Sequence, residues 1–562
     1  MMIKLLLILC LFLGGCQSTQ KDCYTVLGSS MGNNGKITVE LFIQNNEIKE
    51  IELVENHETR HFTDVIIEMI DRIKTEQSLA VDMISQATIT SRATVEAVQN
   101  ALLHCDSNVT FKDLETVSRL SSDIIIIGAG GAGMIAAIEA KNLGFENVTV
   151  IEKMPFGGGN TRMSGGEFAA ADNWLQKQNH IEDDAEILLN DILREGNYGG
   201  DSDLISMVAH HSLEAALWLK EDLKIPFKDE LMWAEGHTYP RTLLFDTSEG
   251  MYIDHLINKA MELGVQIDYN TTATSLILQD EKIIGVKAMI SDQIKEYYAD
   301  DGVILATGGF GYNLGMVEEY YDNPKLDIHQ IKTDNSPAIT GDGIRMAQAV
   351  DARLIGMNNI QIYPINNPAT NSYYLLDYAR IMDNAILVNT QGKRFVNEKV
   401  NRKKLTDAIL DQEHQTCYEI ITPDIIERMD LFNEYHDEIN SCKKQGVVII
   451  GTLKECSDRF NLPYQNLLET VRSIPDYTFQ EEDQLICFIS SLSVHYTMGG
   501  VAINEKAEVI SNQDEVIPGL YAIGEVTGGI HGENRIGSIS LTETVVFGRI
   551  APQSILQKKR NQ

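Results

Sequence analysis

Apolar and polar positions alternate over residues 36–43 and again over 48–54, with Asn45 and Asn46 between them. Period-two alternation on either side of a short asparagine turn predicts a β-hairpin with one buried face. A polar stretch with Asp82, Ser85, Gln86, Ala87 and Thr88 comes next, and then an amphipathic helix through Leu103. Residues 106–120 are polar, weakly patterned and read as a linker. Beyond Asp123 the pattern changes. Positions 124–127 are all isoleucine, as in a strand buried on both faces. Gly128, Gly130 and Gly133 follow, then an alanine-rich helix, and Val148, Val150 and Ile151 mark a second buried strand.

Ahead of the hairpin, Lys4 precedes an apolar run over 5–13, which ends at Gly14, Gly15 and Cys16. About ten apolar residues are too few to span a bilayer and read as a secretory signal. Cys16 stands where bacterial lipoprotein signals carry their acylated cysteine. The expectation is a signal peptide and tether over 1–22, with the protein extracytoplasmic and lipid-anchored at the cell membrane. A signal peptide with an unlipidated Cys16 is the other reading.

A formal charge of −35 argues against nucleic acid as a partner. It also repels small anions at long range, so a site for one must gather its own arginines. Beyond the signal, Cys23, Cys105, Cys417, Cys442, Cys456 and Cys487 form no C-x-x-C pair. That excludes a disulfide scaffold, a zinc ribbon and a C-x-x-C-H haem attachment site, so no metal and no haem are expected.

The glycines at 128, 130 and 133 sit between a strand and a helix, where the backbone can approach a pyrophosphate and the helix amides can hold it. Glu152, 24 residues after Gly128, is placed to accept from a ribose hydroxyl. Four further segments accompany them, with Asn160, Thr161, Gly165 and Gly166 in the first, Gly308 in the second, Asp342 in the third, and Gly524 and Glu525 in the fourth. With these segments the chain resembles the FAD-dependent fumarate reductases and the related urocanate reductases, over nearly its whole length from residue 24.

The resemblance implies an α/β fold: a Rossmann-like FAD-binding domain over 121–355 and 493–562, with an inserted α+β capping domain over 356–492. A small N-terminal α+β FMN-binding domain is expected over 23–105. FAD is expected to bind non-covalently. FMN is expected to be attached covalently to Thr88, since the 82–88 segment is similar to the D-x-x-S-G-A-T attachment motif, with Gln86 in place of glycine. Ser85 and Thr88 read without the resemblance are also ordinary helix-capping residues. His57 aligns with another segment of that domain. No second dinucleotide fingerprint is present, so the expected electron source is a membrane-associated donor rather than NADH.

In the family an arginine donates a proton, an acidic residue and a second arginine relay it, and a histidine and a further arginine hold a substrate carboxylate. Arg402 matches the donor, Asp377 and Arg380 the relay, and His495 and Arg535 the clamp. The chemistry requires these types. Hydride addition to the β-carbon of an unsaturated acid builds negative charge on the α-carbon and carboxylate, which fixed cations stabilise. Each charge-assisted hydrogen bond to the carboxylate contributes roughly 1.5 to 3 kcal/mol. Taken singly, these residues read as surface charges, a salt-bridge partner and a core histidine; as an ordered set beside the FAD segments they read as catalytic.

Fumarate reductases hold their second carboxylate with a histidine and a threonine. Here Tyr363 and an apolar residue near Leu376 occupy those positions. An unpaired carboxylate there is penalised by several kcal/mol. The expected substrate is therefore a small unsaturated acid with one carboxylate and a ring or apolar group at the other end. Urocanate leads, with cinnamate-like aryl acrylates close behind. Tyr378 is the counterpart of the aspartate with which urocanate reductases recognise imidazole, unless a loop shift brings Asp377 there. Ser538 replaces a usual glycine beside the clamp and the flavin. Fumarate reduction, a related FAD oxidase or desaturase, and a non-catalytic flavin electron carrier are the alternatives.

Overall fold

The computed structural model describes residues 23–31, 36–44, 47–56, 60–79, 81, 84, 88–103, 119–248, 250–290, 293–328 and 331–561. Cys16, His57, Gln86 and residues 104–118 lie outside that set, and of Thr88 only the backbone is described. The chain divides into two compact units, Met1–Glu115 and Thr116–Gln562.

In the first unit the alternating segments form the expected hairpin, Lys36–Gln44 against Glu47–Asn56. Ile37, Val39, Leu41 and Ile43 all point to one side and are fully buried. A third strand, Cys23–Met31, joins the hairpin antiparallel, and helices Arg60–Glu76 and Thr88–Leu103 contribute to the same core. That strand and the Arg60–Glu76 helix were not anticipated. Gly28 explains how closely the strand lies under the second helix: a Cβ there would come within 2.2 Å of Ala97 O and Ala101 N.

In the second unit the isoleucine run lies within the strand Arg119–Ile127, at the centre of an eight-stranded sheet. It pairs parallel with Val148–Ile151 on one side and Gln293–Leu305 on the other. Ile124, Ile125 and Ile126 are fully buried, as β-branched side chains covered on both faces should be. Val516–Ala522 adds parallel to Gln293–Leu305, so the C-terminal segment completes the same sheet. The closing helix Ile539–Asn561 then packs on helix Gly131–Asn142. Gly548 allows that approach, since a Cβ there would meet Ile135 at 2.8 Å.

The segment inserted between these parts carries most of a six-stranded mixed sheet flanked by short helices. Its long strand Leu485–Thr497 runs out of the insertion toward the nucleotide-binding part and ends beside Ile360–Asn366. Register pairs Tyr363 with Ser493, which brings Tyr363 next to His495. The architecture is the expected α/β Rossmann-like domain with an inserted cap, preceded by a small α+β unit. Among the described residues no helix is long and apolar enough to cross a membrane.

Candidate active site

One cavity in the second unit collects most of the residues singled out above. Its first part is built on the glycine turn. Helix Gly131–Asn142 begins at Gly130 without a side-chain cap, which leaves its positive end for an anion. A Cβ at Gly130 would meet only Gly158 O, at 3.8 Å, so the way in is open. Gly128 has φ +109°, and a Cβ at Gly133 would overlap Gly128 O at 1.9 Å. Gly133 therefore joins helix to strand and does not border the cavity; Gly166 likewise sits behind it, against Phe245.

The polar partners of a dinucleotide follow. Glu152 receives the Ala129 and Met154 amides at 2.8 Å each, and burial still raises its pKa. Thr161 Oγ1 accepts from Gly131 N at 3.1 Å. Asn160 donates to Glu525 Oε2 at 3.1 Å, and burial pushes Glu525 up to about 7. Burial opposes the charge of Asp342, but Lys153 at 2.7 Å, Thr340 and Arg345 together outweigh it and lower the pKa. Gly165, Gly308 and Gly524 border the same space. An uncapped helix end for a pyrophosphate and buried carboxyls for hydroxyl groups fit FAD, and these residues would hold it.

At the next station two guanidinium groups converge. Arg535 Nη2 lies 3.0 Å from His495 Nε2, and His495 Nδ1 lies 2.9 Å from Asp334 Oδ2. The neutral ring that satisfies both contacts carries its proton on Nδ1. Burial lowers the His495 pKa, which favours that neutral form. Arg535 Nε is buried with no hydrogen-bond partner. Burial first, and Arg402 second, push Arg535 down to about 10. A carboxylate arriving here would satisfy the open donor and relieve the repulsion between the two cations.

Arg402 opens helix Arg402–Leu410, which Asn401 caps by accepting from Lys404 N at 3.1 Å. Its guanidinium stacks over the Tyr363 ring at 5.0 Å and donates to Gln361 Oε1 at 3.4 Å. Burial opposes its charge, but Tyr363, Glu235, Glu167 and Tyr378 outweigh burial and raise its pKa. Asp377 and Arg380 lie behind the cavity as a buried bidentate ion pair at 2.7 and 2.8 Å. Asp377 is fully buried, so Tyr378, not Asp377, faces the substrate space.

Leu376 does not line the cavity either. Glu438 accepts from the Leu375 and Leu376 amides at 2.9 Å and holds that turn in the core. Glu419 lies in hydrogen-bonding reach of Asp377, yet neither of its oxygens receives a donor. Burial, then Asp377, raise its pKa well above the usual range. Both observations agree when Glu419 is a neutral acid donating to Asp377.

The cavity also holds a residue that sequence reasoning missed. Glu167 accepts from the Tyr378 hydroxyl and from Ser538 Oγ, the latter at 3.1 Å. A Cβ at Gly165 would sit 3.3 Å from Tyr373 OH, 3.5 Å from Glu167 Oε1 and 3.6 Å from Tyr378 OH. Two phenols and a carboxylate thus close around one glycine. Ser538, expected at the cofactor, is here tied to Glu167 and to Thr242 Oγ1 at 3.0 Å. No linear pattern marks Glu167, since its partner Tyr378 is 211 residues away.

Comparison with known proteins agrees with this geometry. Residues 123–541 match the FAD binding domain family and residues 32–103 the FMN-binding domain family. A urocanate reductase from Eggerthella lenta is 32% identical over 554 residues, covering 93% of this chain and 91% of that protein. The chain belongs to the FAD-dependent fumarate and urocanate reductase family. It is an oxidoreductase that reduces the C=C bond of unsaturated carboxylates, with FAD-binding and FMN-binding domains. An NADH:acrylate oxidoreductase from Vibrio harveyi is 30% identical, covering 94% of this chain but 61% of that protein. Among solved structures, the open conformation of a flavocytochrome c3 fumarate reductase superposes with a TM-score of 0.67 at 28% identity, covering 82% of this chain and 80% of that one.

Proposed function

We propose that this member of the family reduces a monocarboxylate with a ring at its other end, urocanate first because its ring donates a hydrogen bond, with cinnamate-like aryl acrylates as the neighbouring class. The observation that carries this reading is Glu167, which borders the same cavity as Arg402 and Arg535 and sits beside the Tyr373 and Tyr378 hydroxyls. A second substrate carboxylate would meet an anion there. An imidazole N–H or a phenolic O–H would meet an acceptor.

When bound, reduced FAD supplies a hydride for the β-carbon. Arg535 holds the substrate carboxylate through its open Nε, and His495 orients that guanidinium. Charge developing on the α-carbon meets two cations already in place. Arg402 gives a proton to the α-carbon. Its neighbours hold it as the cation between turnovers, so it is loaded with a proton when the basic α-carbanion develops. Asp377 and Arg380 return the proton. Tyr363 stacks under Arg402 and packs against His495 at 4.9 Å, so the donor and clamp share one support.

In this reading FMN is joined covalently to Thr88, the residue at which helix Thr88–Leu103 begins. That unit takes electrons from a membrane-associated donor, and Cys16 carries the lipid that keeps the protein at the outer face of the membrane. Cys16→Ser should release the protein from membranes, and Thr88→Ala should leave no flavin on the denatured chain. The central test is reduction of the purified protein with reduced viologen, followed by urocanate, cinnamate, p-coumarate, acrylate and fumarate in turn. Urocanate should reoxidise the flavins fastest; fumarate as the best substrate would overturn the reading.

A further inference from the structure

Glu235 borders the same cavity and enters none of the hydrogen bonds described above. It stands just beyond strand Phe227–Met232, on a loop pressed toward Arg402. A Cβ at Gly537 would lie 3.3 Å from Ala234 Cβ and 3.7 Å from Arg402 Nη2, so the loop and the guanidinium share one glycine. Glu235 Oε1 is cut off from solvent with no hydrogen-bond partner. On its other side a Cβ at Gly236 would come within 2.8 Å of Glu195 Cγ. Glu195 in turn accepts from Asn401 Nδ2 at 3.2 Å, beside the start of the Arg402 helix, and its side chain is 14% exposed. Two acid groups, one partly exposed and one cut off from solvent, therefore flank the loop that packs beside Arg402.

We infer that Glu235 is a second proton-holding group for Arg402, refilled from the surface through Glu195. The inference rests on Arg402 being the proton donor. As the β-carbon receives the hydride, Arg402 gives one proton to the α-carbon and becomes a neutral guanidine. The Glu235 acid then passes its proton to that guanidine, restoring the cation and leaving a carboxylate. Solvent returns a proton through Glu195. Each turnover consumes one hydride and one proton, and the C=C π bond becomes two C–H bonds.

The electrostatics suit this role. Burial is the strongest influence on Glu235 and holds its acid form up to about 7. Arg380 and Arg402 pull the other way, while Asp377 and Glu195 oppose the anion. The Asp377 carboxylate is by contrast committed to Arg380 through both oxygens and is fully buried. Glu235 and Arg402 both border the cavity, which Asp377 does not, and each acts electrostatically on the other.

The test uses the flavin-loaded protein and its best acid substrate, with Glu235→Gln and Glu235→Asp. Wild-type kcat should fall as pH rises through about 7, where Glu235 loses its proton. In Glu235→Gln kcat should drop by about 10- to 100-fold at low pH, and that limb should vanish, with KM within about twofold. Glu235→Asp should keep a titrating limb. Infrared spectra should show a carboxylic acid C=O band that fades near pH 7 and is missing in Glu235→Gln. An unchanged profile in Glu235→Gln, a rise in KM alone, or a wild type without that band would overturn the inference. The outcomes remain separable. If Arg402→Ala keeps its turnover, the reading of the donor falls; if only Glu235→Gln is silent, the second proton source falls alone.

Discussion

Ser538 Oγ donates to Glu167 Oε2 at 3.1 Å from a left-handed backbone position with φ +65°. That conformation costs a non-glycine residue about 1 kcal/mol. A glycine would sit there without strain but would hold nothing. The serine thus trades backbone strain for a carboxylate fixed at the cavity wall. Ser538→Gly should raise the melting temperature slightly while raising KM for urocanate by about tenfold at most. A variant as stable as wild type with unchanged KM would show that Glu167 needs no such support.

Glu167→Gln tests the anchor itself. The amide keeps the shape and loses the charge. A hydrogen bond to a charged group is worth roughly 1.5 to 3 kcal/mol, so KM for urocanate should rise by about 10- to 100-fold. Cinnamate, which has no donor on its ring, should change little. Equal losses on both substrates would place Glu167 outside ring recognition.

The histidine of the clamp depends on Asp334. With Asp334 Oδ2 2.9 Å from Nδ1, the ring keeps its proton on that side and offers Nε2 to Arg535. Asp334→Asn would present an N–H to Nδ1 and drive the proton to Nε2, against the Arg535 donor. Affinity for the substrate should fall by about tenfold, read as KM, with FAD content unchanged. Normal KM in Asp334→Asn would mean the clamp works from either tautomer.

The parts legible in the sequence are those written as local patterns. The isoleucine run and the glycine turn gave the central strand and helix because β-branched burial and tight turns are short-range requirements. Arg402, His495 and Arg535 were found through ordered motifs, and they meet in one cavity. Glu167, Asp334, Glu235 and Glu419 were not found. Each works through partners from distant segments, as Asp334 does with His495 161 residues on. A lone carboxylate in a polar stretch carries no sign that folding will bury it. Likewise, the choice between Asp377 and Tyr378 needed the structure, since adjacent residues in a turn differ in sequence by one position but face opposite sides.

Glu419 offers a test of buried charge that does not depend on turnover. It is fully buried on strand Cys417–Ile421, faces Asp377 and Arg380, and has Glu398 nearby. Its folded pKa lies well above the ordinary 4.5. The folded protein therefore keeps a proton that the unfolded chain gives up once pH passes that ordinary value. Where the folded state binds more protons than the unfolded state, stability falls as pH rises. Glu419→Gln keeps a donor toward Asp377 and has no proton to lose. Its melting temperature should exceed that of wild type at about pH 8, with the difference closing toward about pH 5. A difference that stays constant across that range would mean Glu419 ionises in the folded protein as readily as in the unfolded chain. The donor to Asp377 would then have to come from elsewhere.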